Sequence, residues 1–117
     1  MSNNPECIFC KIIDGDIPSS KIYEDAEIIA FHDIEPNAPV HVLVIPKEHI
    51  HSLNFVNEGN SEIIAKIFTL IPKLAKQLKV FESGYRIIVN SGKDSGMMVG
   101  HLHFHILGGT TLSKSLS

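Results

Sequence analysis

Features that define several large classes of proteins are missing or scarce in this sequence. Its 117 residues include only two cysteines, carry a formal net charge of −3 and contain no long basic run, so the electrostatic footprint of a nucleic-acid-binding protein is absent. No apolar stretch approaches the roughly 20 residues that span a bilayer, and no basic segment followed by an apolar core marks a secretory signal. These absences favour a cytoplasmic protein without nucleic-acid or membrane partners. The length and the 44% hydrophobic content suit a single domain over residues 1–117.

The two cysteines lie close together, as Cys7-Ile-Phe-Cys10. This spacing is typical of a redox dithiol or of half a zinc site, and it does not indicate a disulfide framework. A redox motif of this kind follows a strand, and only six residues precede Cys7. A zinc site needs two further ligands, which the seven histidines of the chain can supply. The residues alone leave two alternatives open, a zinc site and a pair of buried free thiols.

The rest of the chain follows the patterns of a small α+β domain. Residues 8–13 favour a short helix or turn, and residues 61–79 repeat apolar side chains with the period of one long helix. Asn60 or Ser61 is placed to cap that helix, and Pro72 predicts a kink or a break within it. Short apolar runs predict about five strands in a mostly antiparallel sheet, at residues 22–24, 28–31, 41–45, 85–89 and 101–106.

Three histidines alternate with apolar residues near the end of the chain, at His101, His103 and His105. In a strand, successive side chains point to opposite faces, so the three imidazoles are predicted to share one face. Two functions suit such a row: metal binding by neutral imidazole, and nucleophilic and acid–base chemistry at a phosphorus or carbonyl centre. We favour the second.

The alternating histidines, followed by two aliphatic residues, resemble the signature of the histidine triad (HIT) family. Residues 31–34, 36–49 and 84–92 resemble the corresponding segments of its Hint branch, the histidine triad nucleotide-binding proteins. The resemblance covers nearly the whole chain, with a motif-bearing core at about residues 7–109. It implies a HIT-like fold, a homodimer and a purine nucleotide as substrate.

The activity implied by the resemblance is hydrolysis of nucleoside 5′-phosphoramidates, with adenosine preferred, through a nucleotidyl-histidine intermediate. Three alternatives stay open. The protein could act on dinucleoside polyphosphates or transfer a nucleotidyl group, as other members of this family do. It could be a nucleotide- or partner-binding module without catalysis. It could also be a metal enzyme in which triad histidines and a further residue share one ion.

The resemblance also implies roles for individual residues. His103 is the expected nucleophile, with its second ring nitrogen held by the main-chain carbonyl of His101. His105 is expected to donate to a phosphoryl oxygen, and His41 to orient groups and relay protons. Asp33 is expected to bind the ribose hydroxyls. The residues expected to contact the nucleotide are Ile12, Phe31, Asp33, Ile34, Asn90, Gly96, Met97, Met98, His103 and His105.

Relatives that carry two cysteines near the N-terminus imply a structural zinc ion. Mapped onto this sequence, its ligands are Cys7, Cys10, His49 and His101. One departure concerns the substrate. Met97 and Met98 occupy the loop where close relatives have a glutamine and a serine, and a thioether cannot donate a hydrogen bond to a leaving amine.

Overall fold

The computed structural model describes residues 5–114. Five strands form one antiparallel sheet in the order β1-β2-β3-β5-β4, and every neighbouring pair is antiparallel. The predicted α+β class, with one long helix and a short N-terminal helix, is therefore confirmed. The elements are α1 (Ile8–Ile13), β1 (Lys21–Glu24), β2 (Ile28–His32), β3 (Val40–Pro46), α2 (Ser61–Gln77), β4 (Tyr85–Val89) and β5 (Phe104–Gly108), with 3₁₀ turns at Leu53–Phe55 and Lys93–Ser95.

Both faces of the central strands are buried. Along β2, Ile28 and Ala30 pack on the side of α2, while Ile29 and Phe31 pack on the side of α1. Strand β3 divides in the same way, which explains why its sequence is a continuous apolar run instead of an alternating one. The site described below lies on the α1 side of the sheet.

Helix α2 runs without a break through Pro72, so of the two predicted alternatives, a kink or a break, the break is wrong. Proline removes one backbone hydrogen bond, but Ile67, Ile71 and Leu74 on the buried face of α2 are at most 3% exposed and hold the helix against the sheet. The helix ends at Gln77, two residues before the predicted end. Lys79 then adopts a left-handed conformation with φ of 65°, and this turns the chain away.

The predicted side-chain cap of α2 is also absent. Asn60 occupies the N-cap position, but its side chain makes no capping hydrogen bond. Its amide instead donates to the carbonyl of Phe55 and accepts from the amide of Asn57. The residue therefore closes the preceding loop.

Strand β5 starts at Phe104, three residues later than predicted. In the register that pairs Val44 with Phe104, residue 102 would stand opposite Pro46, which has no N–H to donate. The N–H of Leu102 donates to the carbonyl of Ile50 instead. His101 and His103 thus precede the strand, although their side chains still alternate in direction with that of Leu102, which is buried on the α2 side.

Among residues 5–114, no helix is both long enough and apolar enough to cross a membrane.

Candidate active site and metal cluster

The sheet brings Asp33, His41 and His105 together from three different segments. His105 lies opposite Leu43 in the β3–β5 pair, so His41, two residues earlier on β3, shares its face. Asp33 follows β2, and its N–H donates to the carbonyl of His41 at 3.0 Å. With His103, which precedes β5, these residues form what we term the Asp–His cluster (Asp33, His41, His103 and His105).

Within the Asp–His cluster, His41 occupies the centre. Its Nε2 lies 2.9 Å from Nδ1 of His105 and 3.4 Å from Oδ2 of Asp33. The ring of His103 lies against that of His105, with 5.0 Å between their centroids. His41 is 4% exposed and His103 is 7% exposed, so the imidazoles are largely withdrawn from water.

Main-chain partners determine which nitrogen of each ring carries the proton. The N–H of Asn37 donates to Nδ1 of His41 at 3.0 Å, so the proton of neutral His41 is on Nε2 and is donated to Nδ1 of His105. Because Nδ1 of His105 accepts this hydrogen bond, the single ring proton of neutral His105 is on Nε2. The cluster therefore presents an N–H donor at His105 Nε2.

His103 has the opposite arrangement. Its Nδ1 lies 2.6 Å from the carbonyl oxygen of His101, and a carbonyl can only accept, so Nδ1 carries the proton. The Nε2 of neutral His103 is left with an available lone pair. A nucleophilic nitrogen and the hydrogen-bond donor of His105 thus stand on adjacent rings.

Burial keeps these rings neutral. It lowers the pKa of His105 to about 4, with the neighbouring His103 and His41 adding to the effect and Asp33 opposing it. Burial also lowers the pKa of His41, although Asp33 opposes the shift. The pKa of His103 is lowered by burial too, against the opposing hydrogen bond to the His101 carbonyl. All three imidazoles are in the neutral form at pH 7, which is the form that nucleophilic attack requires.

The residues expected to contact the base and ribose are divided between core and surface. Ile12 and Phe31 are 8% and 3% exposed and belong to the core on the α1 side, whereas Ile34 is 90% exposed. Asp33 lies between these environments. One carboxylate oxygen accepts the N–H of Glu35 at 2.8 Å, and the other faces His41.

In the expected phosphate-side loop, Asn90 lines a cavity of about 510 Å³ together with His41 and His105, but Gly96, Met97 and Met98 are not among its lining residues, and Met98 lines a separate depression with Cys7 and His49. Gly96 has a left-handed φ of 85°, and its N–H donates to the carbonyl of Lys93 within the turn. The amides of Met97 and Met98 make no hydrogen bond to any residue in the described range 5–114. The side chain of Met98 is 92% exposed.

A second group of side chains lies next to the Asp–His cluster. We term it the Cys–His cluster (Cys7, Cys10, His49 and His101), and its ligand atoms all lie within 4.8 Å of one another. Cys7 Sγ and Cys10 Sγ lie 3.4 and 3.6 Å from Nδ1 of His101. Nδ1 of His49 lies 3.2 Å from both Cys10 Sγ and His101 Nδ1. The four side chains can hold a metal ion.

The chemistry of the donor atoms suits that role. Nε2 of His101 lies 2.8 Å from the carbonyl of Pro46 and must donate to it, which leaves the Nδ1 lone pair directed at the two sulfurs. Burial lowers the pKa of His101 to about 4, although the Pro46 carbonyl opposes the shift, so the imidazole is neutral. Burial raises the pKa of the Cys7 thiol, while the Cys10 N–H that it accepts opposes the shift.

Phe9 is a residue of this region that the sequence did not reveal. It lies on α1 between the two cysteines and is 7% exposed. Its ring contacts those of Phe31, His101 and His103 with centroid distances of 5.8, 6.0 and 5.0 Å. The one signal in the sequence is its position inside the Cys-x-x-Cys motif, and an apolar residue at that position is equally well explained by burial in the core.

Comparisons with known proteins agree with this architecture. Residues 14–112 match the HIT domain family. The chain is 49% identical over 107 residues to an uncharacterised HIT-like protein of Buchnera aphidicola, covering 92% of this chain and 96% of that protein. It is 40% identical over 112 residues to the purine nucleoside phosphoramidase of Escherichia coli, covering 96% and 94% of the two chains.

Solved structures give the same result. A HIT family hydrolase from Clostridium thermocellum superposes on this chain with a TM-score of 0.94. The two sequences are 45% identical, and the alignment covers 98% of this chain and 100% of the other. The chain therefore belongs to the HIT family, and the resemblance and the HIT-like fold inferred from the sequence are confirmed.

Proposed function

We propose that this protein is a nucleotide hydrolase of the Hint branch that cleaves nucleoside 5′-phosphoramidates, with adenosine preferred. The observation that carries the proposal is the available Nε2 lone pair of His103 beside the N–H donor of His105. The E. coli relative, a purine nucleoside phosphoramidase by name, supports the substrate class.

In the first step, Nε2 of His103 attacks the α-phosphorus of the substrate. A nitrogen–phosphorus bond to His103 forms, the phosphorus–nitrogen bond of the phosphoramidate breaks, and the amine leaves after taking up one proton. The N–H of His105 donates to a phosphoryl oxygen, where negative charge develops in the transition state. The hydrogen bond from Nδ1 to the His101 carbonyl supports the positive charge that the attacking ring acquires.

In the second step, water attacks the same phosphorus and His103 leaves as neutral imidazole. A nucleoside monophosphate forms, and the water releases one proton, which balances the proton taken up by the amine. Dividing one difficult displacement into two easier ones is the gain from covalent catalysis. Asn90 borders the cavity next to His105 and suits the phosphate, while Asp33, whose carboxylate lies beside His41, suits the ribose hydroxyls.

We propose that the Cys–His cluster binds a structural zinc ion. With Zn–S bonds of about 2.3 Å and Zn–N bonds of about 2.0–2.1 Å, a nitrogen in a tetrahedral site stands roughly 3.3–3.6 Å from another nitrogen or from a sulfur. The four separations given above, three between sulfur and nitrogen and one between two nitrogens, are 3.2–3.6 Å and lie close to this spacing. Four protein ligands close the coordination sphere, so the ion would join α1 to the segment before β5 and take no part in the reaction.

We also propose a homodimer and a cytoplasmic location. Strand β4 lies at an edge of the sheet, and its side chains are all half-buried, which suits pairing with a second copy along that edge. The two cysteines form no disulfide, as expected in a reducing compartment. Light scattering tests the dimer: a mass of two chains is expected, and a concentration-independent mass of one chain would contradict it.

Intact-protein mass spectrometry tests the catalytic proposal. Wild-type protein mixed briefly with adenosine phosphoramidate, without acid quench, is expected to gain the mass of one nucleotidyl group. His103→Ala is expected to form no adduct yet to bind adenosine monophosphate with nearly wild-type affinity. His32→Ala, which removes an exposed histidine at the end of β2, is the matched control and is expected to form the adduct normally. An adduct on His103→Ala, or unchanged turnover by it, would contradict the mechanism.

A further inference from the structure

The four side chains of the Cys–His cluster are not equally accessible from outside. Cys10 and His101 are 1% and 0% exposed, and Cys7 is 7% exposed. His49 is the one member of the cluster that is half-buried. An ion that binds inside a folded protein needs a path by which it enters, so the more accessible ligands indicate the side from which a metal ion reaches the cluster.

A surface depression lies on that side of the cluster. Its volume is about 370 Å³, and of the four cluster residues Cys7 and His49 line it, whereas Cys10 and His101 do not. The cluster therefore faces the outside through its two more accessible ligands. The other residues that line the depression are Glu6, Ile8, His51, Met98, Val99 and Gly100.

His51 presents an exposed imidazole in the same depression. Its ring stacks on that of Phe55, with 5.6 Å between the centroids and 16° between the planes. It also packs against Gly100, where an added Cβ would lie 2.9 Å from Cε1 and 3.1 Å from Nε2 of His51. These contacts hold the ring beside the opening, although its surface is accessible to water.

The ring of His51 lies near the cluster without belonging to it. Burial is the main cause of the lowered pKa of His49 and of His101, and the nearby His51 adds to both shifts. His51 is not, however, one of the residues whose ligand atoms all lie within 4.8 Å of one another. Four protein ligands already complete a tetrahedral zinc site, so His51 is not needed to hold the ion in its final place.

We propose that His51 is a capture ligand, which binds an incoming zinc ion in the depression and transfers it to the Cys–His cluster. The inference rests on the proposed zinc ion and assigns a role to a histidine outside its four ligands. Imidazole nitrogen is a common metal ligand, and in the first step it replaces one water on the ion. In the second step, Cys7 and His49 replace His51, and the thiol releases its proton to water as it binds.

The effect on rates distinguishes a capture ligand from a residue that supports the bound ion. Since a capture ligand holds the ion only during entry and departure, microscopic reversibility requires that its loss slow both steps by the same factor, and the affinity stays unchanged. Loss of a residue that supports a ligand weakens the affinity by about 10- to 100-fold and accelerates departure. The two roles therefore change the rate of zinc departure in opposite directions.

The test compares His51→Asn with His51→Asp. The two new side chains have nearly the same size, but the carboxylate of aspartate is a much better ligand for a divalent cation than a neutral amide. His32→Asn, which replaces an exposed histidine at the end of β2, is the control. Protein loaded with one zinc isotope is mixed with an excess of another, and mass spectrometry follows the exchange. Competition with a chelator gives the affinity, and thermal unfolding checks the fold.

His51→Asn is expected to exchange zinc about 3- to 10-fold more slowly than wild type, because it no longer concentrates the ion beside the cluster. Its affinity is expected to stay within about twofold of wild type. His51→Asp and His32→Asn are expected to exchange at nearly the wild-type rate. If His51→Asn does not fold, His51→Gln, which keeps more of the volume, is measured instead.

Two results would overturn the capture role. Faster exchange with weakened affinity in His51→Asn would make His51 a support of the bound ion, and an unchanged exchange rate would leave it without a role in metal entry. Bound zinc with unchanged exchange contradicts this inference alone. Wild-type protein that binds no zinc at all contradicts the zinc proposal as well.

Discussion

The Cys–His cluster and the Asp–His cluster lie on the same side of the sheet and are both rich in buried histidine, yet the main chain holds their rings by different nitrogens. In the Cys–His cluster, the Pro46 carbonyl takes the Nε2 proton of His101 and leaves Nδ1 directed at two sulfurs. In the Asp–His cluster, the Asn37 N–H occupies Nδ1 of His41 and leaves a proton on Nε2.

This difference distinguishes the proposed metal site from the proposed catalytic site. Asp33, His41 and His105 also offer three ligand atoms within 4.8 Å of one another. A metal bound to His41 Nε2 would have to displace its proton, and the proton could not move to Nδ1, because Asn37 already donates there. The backbone partner of each buried histidine therefore fixes which nitrogen carries the proton, and of these two clusters it is the Cys–His cluster whose donor atoms suit a cation.

The largest expected effect comes from replacing the proposed nucleophile. His103→Ala should lower turnover by roughly 10⁴-fold or more, as loss of a covalent catalyst does, because no other ring of the Asp–His cluster presents an available lone pair. Metal content should stay at the wild-type value, since His103 is not a ligand. Steady-state kinetics and elemental analysis on the same sample measure both quantities. A loss of metal together with activity in His103→Ala would contradict the assignment of separate roles to the two clusters.

Removing the two thiols should have the opposite effect, a loss of metal with a smaller loss of turnover. Cys7→Ser combined with Cys10→Ser is expected to eliminate about one zinc per chain and to lower the free energy of unfolding by about 4 kcal/mol, as loss of a structural metal does. Turnover should fall less than in His103→Ala, because the catalytic rings remain. Denaturant unfolding and metal analysis provide the measurement. If native protein purified without chelators contains no zinc, the zinc proposal is contradicted and the cysteines are a pair of buried thiols.

A smaller effect concerns acid stability. The pKa of His105 is lowered from 6.5 to about 4 in the folded protein, chiefly by burial. The unfolded chain therefore binds this proton first as the pH falls through 6.5, and the folded state loses stability until the pH reaches about 4. Each such group contributes at most about 1.4 kcal/mol per pH unit, less for a half-buried ring.

His105→Asn, which cannot titrate, should therefore lose stability less steeply than wild type over this range of pH. His41, whose pKa is lowered mainly by burial, retains part of the slope. Urea unfolding at a series of pH values gives the comparison, with His32→Asn as the control at an exposed position. Parallel curves for wild type and His105→Asn would show that His105 is not held neutral by the fold.

The smallest expected effect on stability is at the phosphate-side loop. Met98 is 92% exposed, so Met98→Ser should change the free energy of unfolding by no more than about 0.5 kcal/mol. It supplies a hydroxyl that can donate to a leaving amine, and we expect a severalfold gain in phosphoramidate turnover. Met98→Ala controls for loss of the thioether. Equal kinetics for the two variants would show that the methionine does not limit the choice of leaving group.

The sequence predicted those parts of the fold that depend on local pattern. The apolar runs at β2, β3 and β4 and the period of α2 are properties of neighbouring residues, and their strands and helix appear within one or two residues of the expected bounds. The start of β5 was predicted wrongly because it depends on Pro46, more than 50 residues earlier in the chain. No local pattern in residues 101–106 carries that information.

The candidate site could be predicted only in part, because some of its features depend on contacts between distant segments of the chain. The triad spacing and the family resemblance named the rings, and the structure places them together. The proton positions could not be predicted, because His41 depends on the main chain at Asn37 and His101 on the main chain at Pro46. Phe9 was missed because its contacts with His101 and His103 join segments about 90 residues apart. Sequence periodicity describes neighbouring residues and does not reveal such contacts.

The most direct test of this account is proton–nitrogen NMR of the seven histidine side chains in metal-loaded wild-type protein, at a pH of about 8 where neutral imidazole dominates. The exposed rings of His32 and His51 serve as internal references for mixed tautomers. The account predicts a single Nδ1–H form for His103 and single Nε2–H forms for His41, His101 and His105. An Nε2–H form of His103, or an Nδ1–H form of His101, would contradict it.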